Sequence, residues 1–166
     1  MVKDTRKIIQ ALAYLAGKED DKVMDNMKAF KLLWLADRYH LRQTGMTITG
    51  DAYYAMPHGI VPSDAKSLLD GAKTKMRTPR GYKDRYIASK GAYQYMALSD
   101  ADLKMFSESD IEALDKVYEA YGSMDGKELS DPVAQVPRVD LLPRVAFPDA
   151  GVLCRAKRQS RAVSPV

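Results

Sequence analysis

The sequence predicts a mainly helical α+β domain, in which helices surround a central buried helix and a small antiparallel sheet lies at one edge. Apolar residues recur at helical spacing in three segments of the chain. Between these segments, short alternating runs beside glycine turns indicate strands. Because strands and helices do not alternate regularly, we do not expect a doubly wound nucleotide-binding sheet.

A domain boundary is predicted near Ser130, where the composition changes. All nine methionines, all ten tyrosines and the only tryptophan precede this residue, and five of the eight prolines follow it. Proline at that spacing disfavours both a helix and a central strand. We therefore expect residues 1–130 to form the domain and residues 131–166 to form a mostly irregular tail.

The net charge of +4 is concentrated in that tail. Residues 132–166 hold six basic and two acidic side chains, which leaves 20 of each sign in residues 1–131. A nucleic acid would therefore be attracted by the tail, and only weakly, rather than by the neutral domain. The basic tail residues are Arg138, Arg144, Arg155, Lys157, Arg158 and Arg161.

The sequence predicts a cytoplasmic protein that does not enter a membrane. No window approaches 18 consecutive apolar residues, the length expected of a membrane-spanning helix. The N-terminus lacks the small-residue cleavage site of a secretory signal. The single cysteine, Cys154, excludes an internal disulfide framework and suits a reducing compartment.

The first predicted helix spans residues 3–16. Ile8, Leu12 and Leu15 fall on one face of it, and Gly17 suits the left-handed position past its end. The central helix is predicted over residues 22–42, with Gly45 after its end. Four of its basic residues fall in one narrow stripe, Lys28, Lys31, Arg38 and Arg42.

Shorter elements are predicted after the central helix. Residues 52–56 fit a strand, and residues 62–71 fit a helix that starts at a proline. Two further strands are predicted over residues 85–89 and 93–98, joined by a turn at Gly91.

The last predicted helix spans residues 110–121. A capping box formed by Ser109 and Glu112 should start this helix, and Gly122 should end it. A weaker helical turn over residues 101–106 precedes it.

Asp37 is the most informative polar residue of the central helix. It falls on an apolar face opposite the basic stripe, so we expect it to be at least half buried. A buried carboxylate is costly unless it is paired or hydrogen-bonded. Two partners are open at this point: backbone N–H groups of the turn at residues 47–51, or the guanidinium group of Arg85.

Metal binding is the alternative role for Asp37. The carboxylate would join His40, three residues later on the helix, together with Asp51 or His58. This set matches no known ligand spacing, so we expect no metal ion. The chain has no glycine-rich phosphate loop either, so we expect no nucleotide cofactor. Ser63, before an acidic residue, fits a helix start better than a nucleophile.

A dense apolar and aromatic set lies around the turn after the first short strand: Tyr53, Tyr54, Met56, His58 and Ile60. These residues either close the core or anchor a partner, since tyrosine and methionine are favoured in interfaces. Alternation along a strand should send some of them outward. Three residues of the basic stripe are further candidate partner contacts: Lys31, Arg38 and Arg42.

Residues 29–71 carry a long combined pattern. It consists of a K-L-L-x-L-A-D motif within the apolar central helix, whose last residue is Asp37, then a glycine, an I-x-G-D turn with Gly50 and Asp51, an aromatic pair, and a helix start at Pro62. This pattern resembles the signature of the Panacea antitoxin domain family, whose members include SocA-like antitoxins and phage-associated proteins. Ile60 stands where the family often has proline.

The resemblance covers roughly residues 5–130 and fails beyond them. The family usually continues with a Ser-His pair, a proline and a tryptophan in a final helical segment, whereas this chain becomes rich in proline, arginine and valine. Two explanations are open: the tail has diverged, or it derives from a shifted reading frame.

The resemblance implies a bacterial or prophage antitoxin that is not an enzyme and has no cofactor. Its partner would be a toxin protein encoded by the adjacent gene, and one branch of the family also delivers its toxin to an AAA+ protease. Two alternatives remain beside this reading. One is a DNA-binding regulator of its own operon, and the other is a metal-dependent hydrolase that uses Asp37, His40 and His58.

Overall fold

The computed structural model of the chain describes residues 5–71, 79 and 81–130. In that part of the chain, helices pack with two small antiparallel sheets, so the predicted mainly helical α+β class is confirmed. The predicted tail, residues 131–166, lies outside the described residues. None of the described helices is long and apolar enough to cross a membrane.

The first helix, α1 (Arg6–Gly17), supplies one wall of the core. Ile8, Leu12 and Leu15 are fully buried, as their spacing predicts. The predicted role of Gly17 is wrong, because this glycine is the last residue of the helix itself. The chain leaves the helix through Lys18, which keeps a right-handed conformation.

The central helix, α2 (Asn26–Thr44), begins later than predicted, because the residues before it form a short strand, β1 (Val23–Asp25). Asp25 has an extended backbone, and its carboxylate accepts a hydrogen bond from the Lys28 N–H at 3.1 Å, which caps the helix. The predicted end is confirmed, since Gly45 follows the helix with a φ of +78°.

The larger sheet has three antiparallel strands, β1 and the two strands of a hairpin. The predicted hairpin is present as β4 (Ile87–Lys90) and β5 (Gln94–Ala97), and the strand order is β1, β5, β4. Its first strand begins later than predicted, because a short helix, α4 (Tyr82–Tyr86), precedes it. The rings of Tyr82 and Tyr86, one helical turn apart, lie 5.1 Å from each other, and the Tyr82 hydroxyl accepts a hydrogen bond from Gln10 of α1.

The last long helix, α5 (Glu108–Tyr121), packs against α2. It starts at a capping box, but the predicted residues of the box are wrong. Ser107 accepts a hydrogen bond from the Asp110 N–H, and the Asp110 carboxylate accepts one from the Ser107 N–H. The Ser109 hydroxyl contacts His40 of α2 instead. The weaker turn predicted before this helix is a single 3-10 turn, Leu103–Met105.

The smaller sheet is a hairpin of β2 (Tyr53–Met56) and β3 (Gly59–Pro62), followed by α3 (Ser63–Leu69). The strand predicted at residues 52–56 is confirmed, whereas β3 was not predicted. Proline at the end of a run argues against a strand, but Pro62 pairs with Tyr53 at a position where the ladder needs no N–H from it.

Candidate functional site

The site predicted around Asp37 is a buried hydrogen-bond cluster that holds the hairpin and the preceding turn against α2. Asp37 is only 1% exposed. One carboxylate oxygen accepts the backbone N–H groups of Ile48 at 2.8 Å and Thr49 at 2.9 Å. The other accepts the Thr49 hydroxyl and, at 2.6 Å, the Tyr53 hydroxyl. Of the two predicted partners, the backbone of the turn is therefore the one that Asp37 uses.

Tyr53 belongs to this cluster rather than to the outer surface. Burial, together with the charge and the hydrogen bond of Asp37, raises the pKa of its hydroxyl well above the ordinary value. The hydroxyl therefore remains a hydrogen-bond donor at any physiological pH. Two of the carboxylate's four donors are hydroxyls from the turn and from β2, so the cluster ties both segments to the central helix.

Asp51, the acid of the signature turn, caps α3 although it lies far from that helix in the sequence. Its carboxylate accepts the N–H groups of Asp64 and Ala65, each at 2.9 Å. Burial raises the pKa of Asp51, and these hydrogen bonds partly oppose that shift. Gly50 has a φ of +65°, a conformation that favours glycine. It turns the chain between Thr49, which binds Asp37, and Asp51.

Pro62 ends β3 and lies directly before the first residue of α3, so it occupies the N-cap position with an extended backbone. Neither Pro62 nor Ser63 provides a side-chain cap for the helix. The remote carboxylate of Asp51 performs that function, which the spacing of the residues in the sequence does not reveal.

Lys31 closes the other side of the hairpin. Bonded and non-bonded pairs alternate along an antiparallel ladder. The Ser63 N–H donates to the Ala52 carbonyl at 2.7 Å, so Ser63 belongs to a bonded pair. Ile60 lies three residues earlier, in a non-bonded pair, and its carbonyl therefore points away from β2. The Lys31 ammonium group donates to this carbonyl at 2.8 Å. The helix α2 therefore covers the free edge of β3.

The prediction that Lys31 belongs to a polar stripe on the outside of α2 is wrong. Lys31 is only 1% exposed, and its burial lowers the pKa to about 8. Arg38 and Arg42 are half-buried rather than fully exposed. The Arg38 guanidinium lies over the ring of Trp34 at 5.3 Å. Of the predicted basic contacts, only these two arginines therefore reach the surface.

The hairpin divides the predicted aromatic and apolar set into inner and outer members. Tyr53 faces Asp37, and Ile60 is half-buried beside α2. Tyr54 is 45% exposed, Met56 is 46% exposed, and His58 lies exposed in the turn. Tyr54 and Met56 are two residues apart and so lie on one face of β2.

An open groove of about 690 Å³ begins at the tip of this hairpin. His58 lines it together with Met27 of α2 and Met124, which follows α5. The sequence gives no sign of this groove, because its walls come from segments far apart in the chain.

His40 and Asp37 serve two separate clusters. The two ring nitrogens of His40 lie 2.7 Å from the Met46 carbonyl oxygen and 2.9 Å from the Ser109 hydroxyl. These contacts join the end of α2 to the start of α5. Among the described residues there is no group of three or more His, Cys, Asp or Glu side chains that could hold a metal ion. His58 is exposed at the far end of the hairpin, away from both clusters.

Asp110 lies beside His40 and adds an ion pair to this second cluster. Its carboxylate binds the Lys7 ammonium group at 2.7 Å. Burial by itself raises the pKa of Asp110, but the hydrogen bonds from Lys7 and Ser107 outweigh burial and hold that pKa below the ordinary value. The stability gained from this pair is therefore present at neutral pH and is lost as the pH falls through the lowered pKa.

The described residues thus define an α+β scaffold whose signature turn is fixed to its central helix by a buried acid. The chain belongs to the family of SocA-like antitoxins with the Panacea domain, because residues 30–135 match the model of that family. The match includes most of α2, the hairpin and α5, and it leaves α1, the first turn of α2 and most of the predicted tail outside. No curated protein and no solved structure matched the chain.

Proposed function

We propose that this protein is a non-enzymatic antitoxin that neutralises a toxin protein by direct binding in the cytoplasm. Family membership implies a toxin partner. The resemblance to the family is our reason to propose that the toxin gene is adjacent to this one, in a bacterial or prophage genome. The observation that carries the proposal is the construction of the hairpin. Asp37 and Lys31 fix it to the central helix, while Tyr54 and Met56 remain exposed on its outer strand.

A rigid strand with exposed aromatic and apolar side chains suits a protein interface. Tyrosine and methionine are enriched in interfaces, and side chains already held in place lose little conformational entropy on binding. Half-buried Arg38 and Arg42 and the exposed His58 are the polar residues that we propose for the rim. The buried residues Asp37 and Lys31 and the half-buried Tyr53 would support this surface without touching the toxin.

The test is co-expression with the product of the adjacent gene, followed by a pull-down and a growth-rescue assay. The double variant Tyr54→Ser/Met56→Ser should weaken the complex by about tenfold or more and reduce rescue. A matched control is Tyr93→Ser/Leu98→Ser, which removes an exposed aromatic and an exposed aliphatic side chain at the two ends of β5. Equal loss in both variants would exclude the hairpin, and neither complex nor rescue with the unmodified chain would exclude the antitoxin role.

Delivery of the toxin to an AAA+ protease is a finer part of the proposal, and it comes from the family resemblance. If the protein acts as an adaptor, the half-life of the toxin in cells should shorten when the antitoxin is present. A toxin that is neutralised but not degraded would limit the role to binding.

A role in DNA binding is the second candidate, and the basic residues of the tail are the observation that favours it. Binding through those charges should be weak and should fall steeply with salt. Replacement of Arg155, Lys157, Arg158 and Arg161 by serine should abolish it. Sequence-specific operator binding that survives these replacements would instead assign regulation to the domain.

A further inference from the structure

A second groove lies on the outer side of α5, between this helix and the 3-10 turn Leu103–Met105. It is open and has a volume of about 550 Å³. Its apolar floor is formed by Leu103, which is 56% exposed, with half-buried Phe106 and Ile111. Leu103 and Ile111 therefore form an apolar strip at the surface, and Phe106 borders it with its ring 6.2 Å from that of Tyr14 in α1.

Acidic side chains surround this floor. Four carboxylates and one ammonium group line the groove: Glu108, Glu112, Asp115, Glu119 and Lys116. Within the groove, Lys116 pairs with Glu112, and Asp115 pairs with Lys18 at 2.7 Å. Glu108 and Glu119 form no ion pair or hydrogen bond with any described residue. The two carboxylates that have no partner among the described residues therefore lie at opposite ends of the groove.

The position of Glu119 has no explanation within its own helix. It lies in the last turn of α5, where the partial negative charge of the helix end disfavours a carboxylate. Glu108 lies in the first turn, where the partial positive charge of the helix end favours a carboxylate. Helix stability therefore explains the position of Glu108 but not that of Glu119. A cation at each end of the groove would satisfy both carboxylates. At about 1.5 Å per residue, the two positions lie about 16 Å apart along the helix axis.

We propose that this groove binds an amphipathic, basic helical segment of a partner protein. Apolar side chains of the segment would cover Leu103, Phe106 and Ile111, and lysine or arginine residues about three turns apart would pair with Glu108 and Glu119. The charge of the rim is the reason for choosing a basic segment over an acidic one.

This groove is separate from the hairpin, so the proposal goes beyond direct toxin binding by Tyr54 and Met56. The hairpin contacts α2 through Lys31, and α5 contacts α2 through His40. At 100° per residue, Lys31 and His40 project about 180° apart on α2. Occupancy of one surface therefore leaves the other accessible.

The experiment uses the full chain and a synthetic helical peptide of about 18 leucine and lysine residues, labelled for fluorescence anisotropy. The same peptide with glutamate in place of lysine is the control ligand. The unmodified protein should bind the basic peptide in a salt-dependent manner and should not bind the acidic one. Equal binding of both peptides, or binding of neither, would overturn the proposal.

Two matched pairs of variants locate the binding. Glu108→Lys/Glu119→Lys should weaken binding by about tenfold or more, whereas Asp20→Lys/Asp84→Lys, with the same change in net charge on exposed residues elsewhere, should leave it unchanged. Leu103→Ser should weaken binding by several-fold, and Leu98→Ser, another exposed leucine, should not. Equal effects within either pair would overturn the proposal, because they would indicate non-specific attraction.

Replacement of the basic tail residues by serine tests whether the chain's own tail, instead of a partner protein, occupies the groove. If that change raises the affinity of the peptide about tenfold, the chain's own tail competes for the groove, and a partner protein is not its occupant. Unchanged affinity supports the partner. Growth rescue by the hairpin variants is measured separately, so failure of the toxin proposal and failure of this one can be distinguished.

Discussion

At the scale of single residues, burial of charge decides what the signature acids do. The carboxylate of Asp37 lies among apolar side chains of α2, where water cannot solvate it. Four donors from the turn and from β2 replace that water. Because every donor comes from outside the helix, the acid fixes tertiary position and is not available for chemistry.

Asp37→Ala should therefore lower the free energy of unfolding by about 3–5 kcal/mol, since it leaves two buried N–H groups and two hydroxyls without their acceptor. Tyr53→Phe removes one of the four hydrogen bonds and should cost about 1–2 kcal/mol. Urea denaturation of the two variants measures both effects. A loss below about 1 kcal/mol for Asp37→Ala would contradict the role of this residue as a tether.

Lys31 should make the stability of the domain depend on pH. Its folded-state pKa is lowered to about 8, whereas the unfolded lysine keeps the ordinary value of 10.5. Between these values the unfolded chain binds more protons, so the free energy of unfolding should rise with pH, by roughly 1–3 kcal/mol.

Lys31→Met is the control for this rise. The pH dependence of the variant, subtracted from that of the unmodified protein, isolates the lysine from the tyrosines that titrate in the same range. Identical pH dependence of the two proteins between about pH 8 and 10 would show that Lys31 is not desolvated.

At the scale of elements, helix starts are fixed by polar groups that local sequence does not identify. The sequence predicts that Ser109 and Glu112 start α5, but Ser107 and Asp110 do so, because His40 takes the Ser109 hydroxyl. For α3, the cap is the carboxylate of Asp51, which precedes the helix by a whole hairpin. In both cases a tertiary contact decides between candidates that a helix-start pattern cannot rank.

The remote cap of α3 predicts a large effect for one alanine substitution and a small effect for another. Asp51→Ala should lower the free energy of unfolding by about 1–2 kcal/mol, because the N–H groups of Asp64 and Ala65 lose their acceptor. Ser63→Ala, at the first residue of the helix, should change it by less than about 0.5 kcal/mol. Thermal or urea unfolding compares the two, and a larger effect for Ser63→Ala would restore the local cap that the sequence predicts.

At the scale of the whole molecule, α2 is the element that the rest of the domain packs around. Helices α1 and α5, strands β1 and β3 and a final 3-10 turn (Glu128–Ser130) all contact it. The chain returns to the start of α2 at Gly126, where a Cβ atom would lie 2.7 Å from an Asp25 carboxylate oxygen and 2.9 Å from the Lys28 nitrogen. Only glycine permits this approach of the last turn to the helix.

Gly126→Ala should therefore destabilise the domain by about 1–3 kcal/mol, because the last turn must move away from the capped start of α2. Gly17→Ala should stabilise it by about 0.5–1 kcal/mol, since that glycine lies in α1 with open space around its Cα. The midpoints of denaturant unfolding show whether each substitution stabilises or destabilises the domain. Destabilisation by Gly17→Ala or neutrality of Gly126→Ala would contradict these packing assignments.

The sequence alone determined the features that depend on periodicity and on local turn chemistry. The spacing of apolar residues predicted α1, α2 and α5, and Gly45 correctly predicted where α2 ends. The burial of Asp37 and its hydrogen bonds to the following turn were also predictable, because a carboxylate on an apolar helix face requires nearby donors.

Only the tertiary structure decided which polar residues are buried and which partner each one meets. Lys31 was predicted on an outer stripe, yet it is covered by β3, a strand that was not predicted. His40 meets Ser109 across 69 residues of chain. Helical periodicity shows which residues share a face, but the partner of a face is fixed by how distant segments pack, and that information is not local in the sequence.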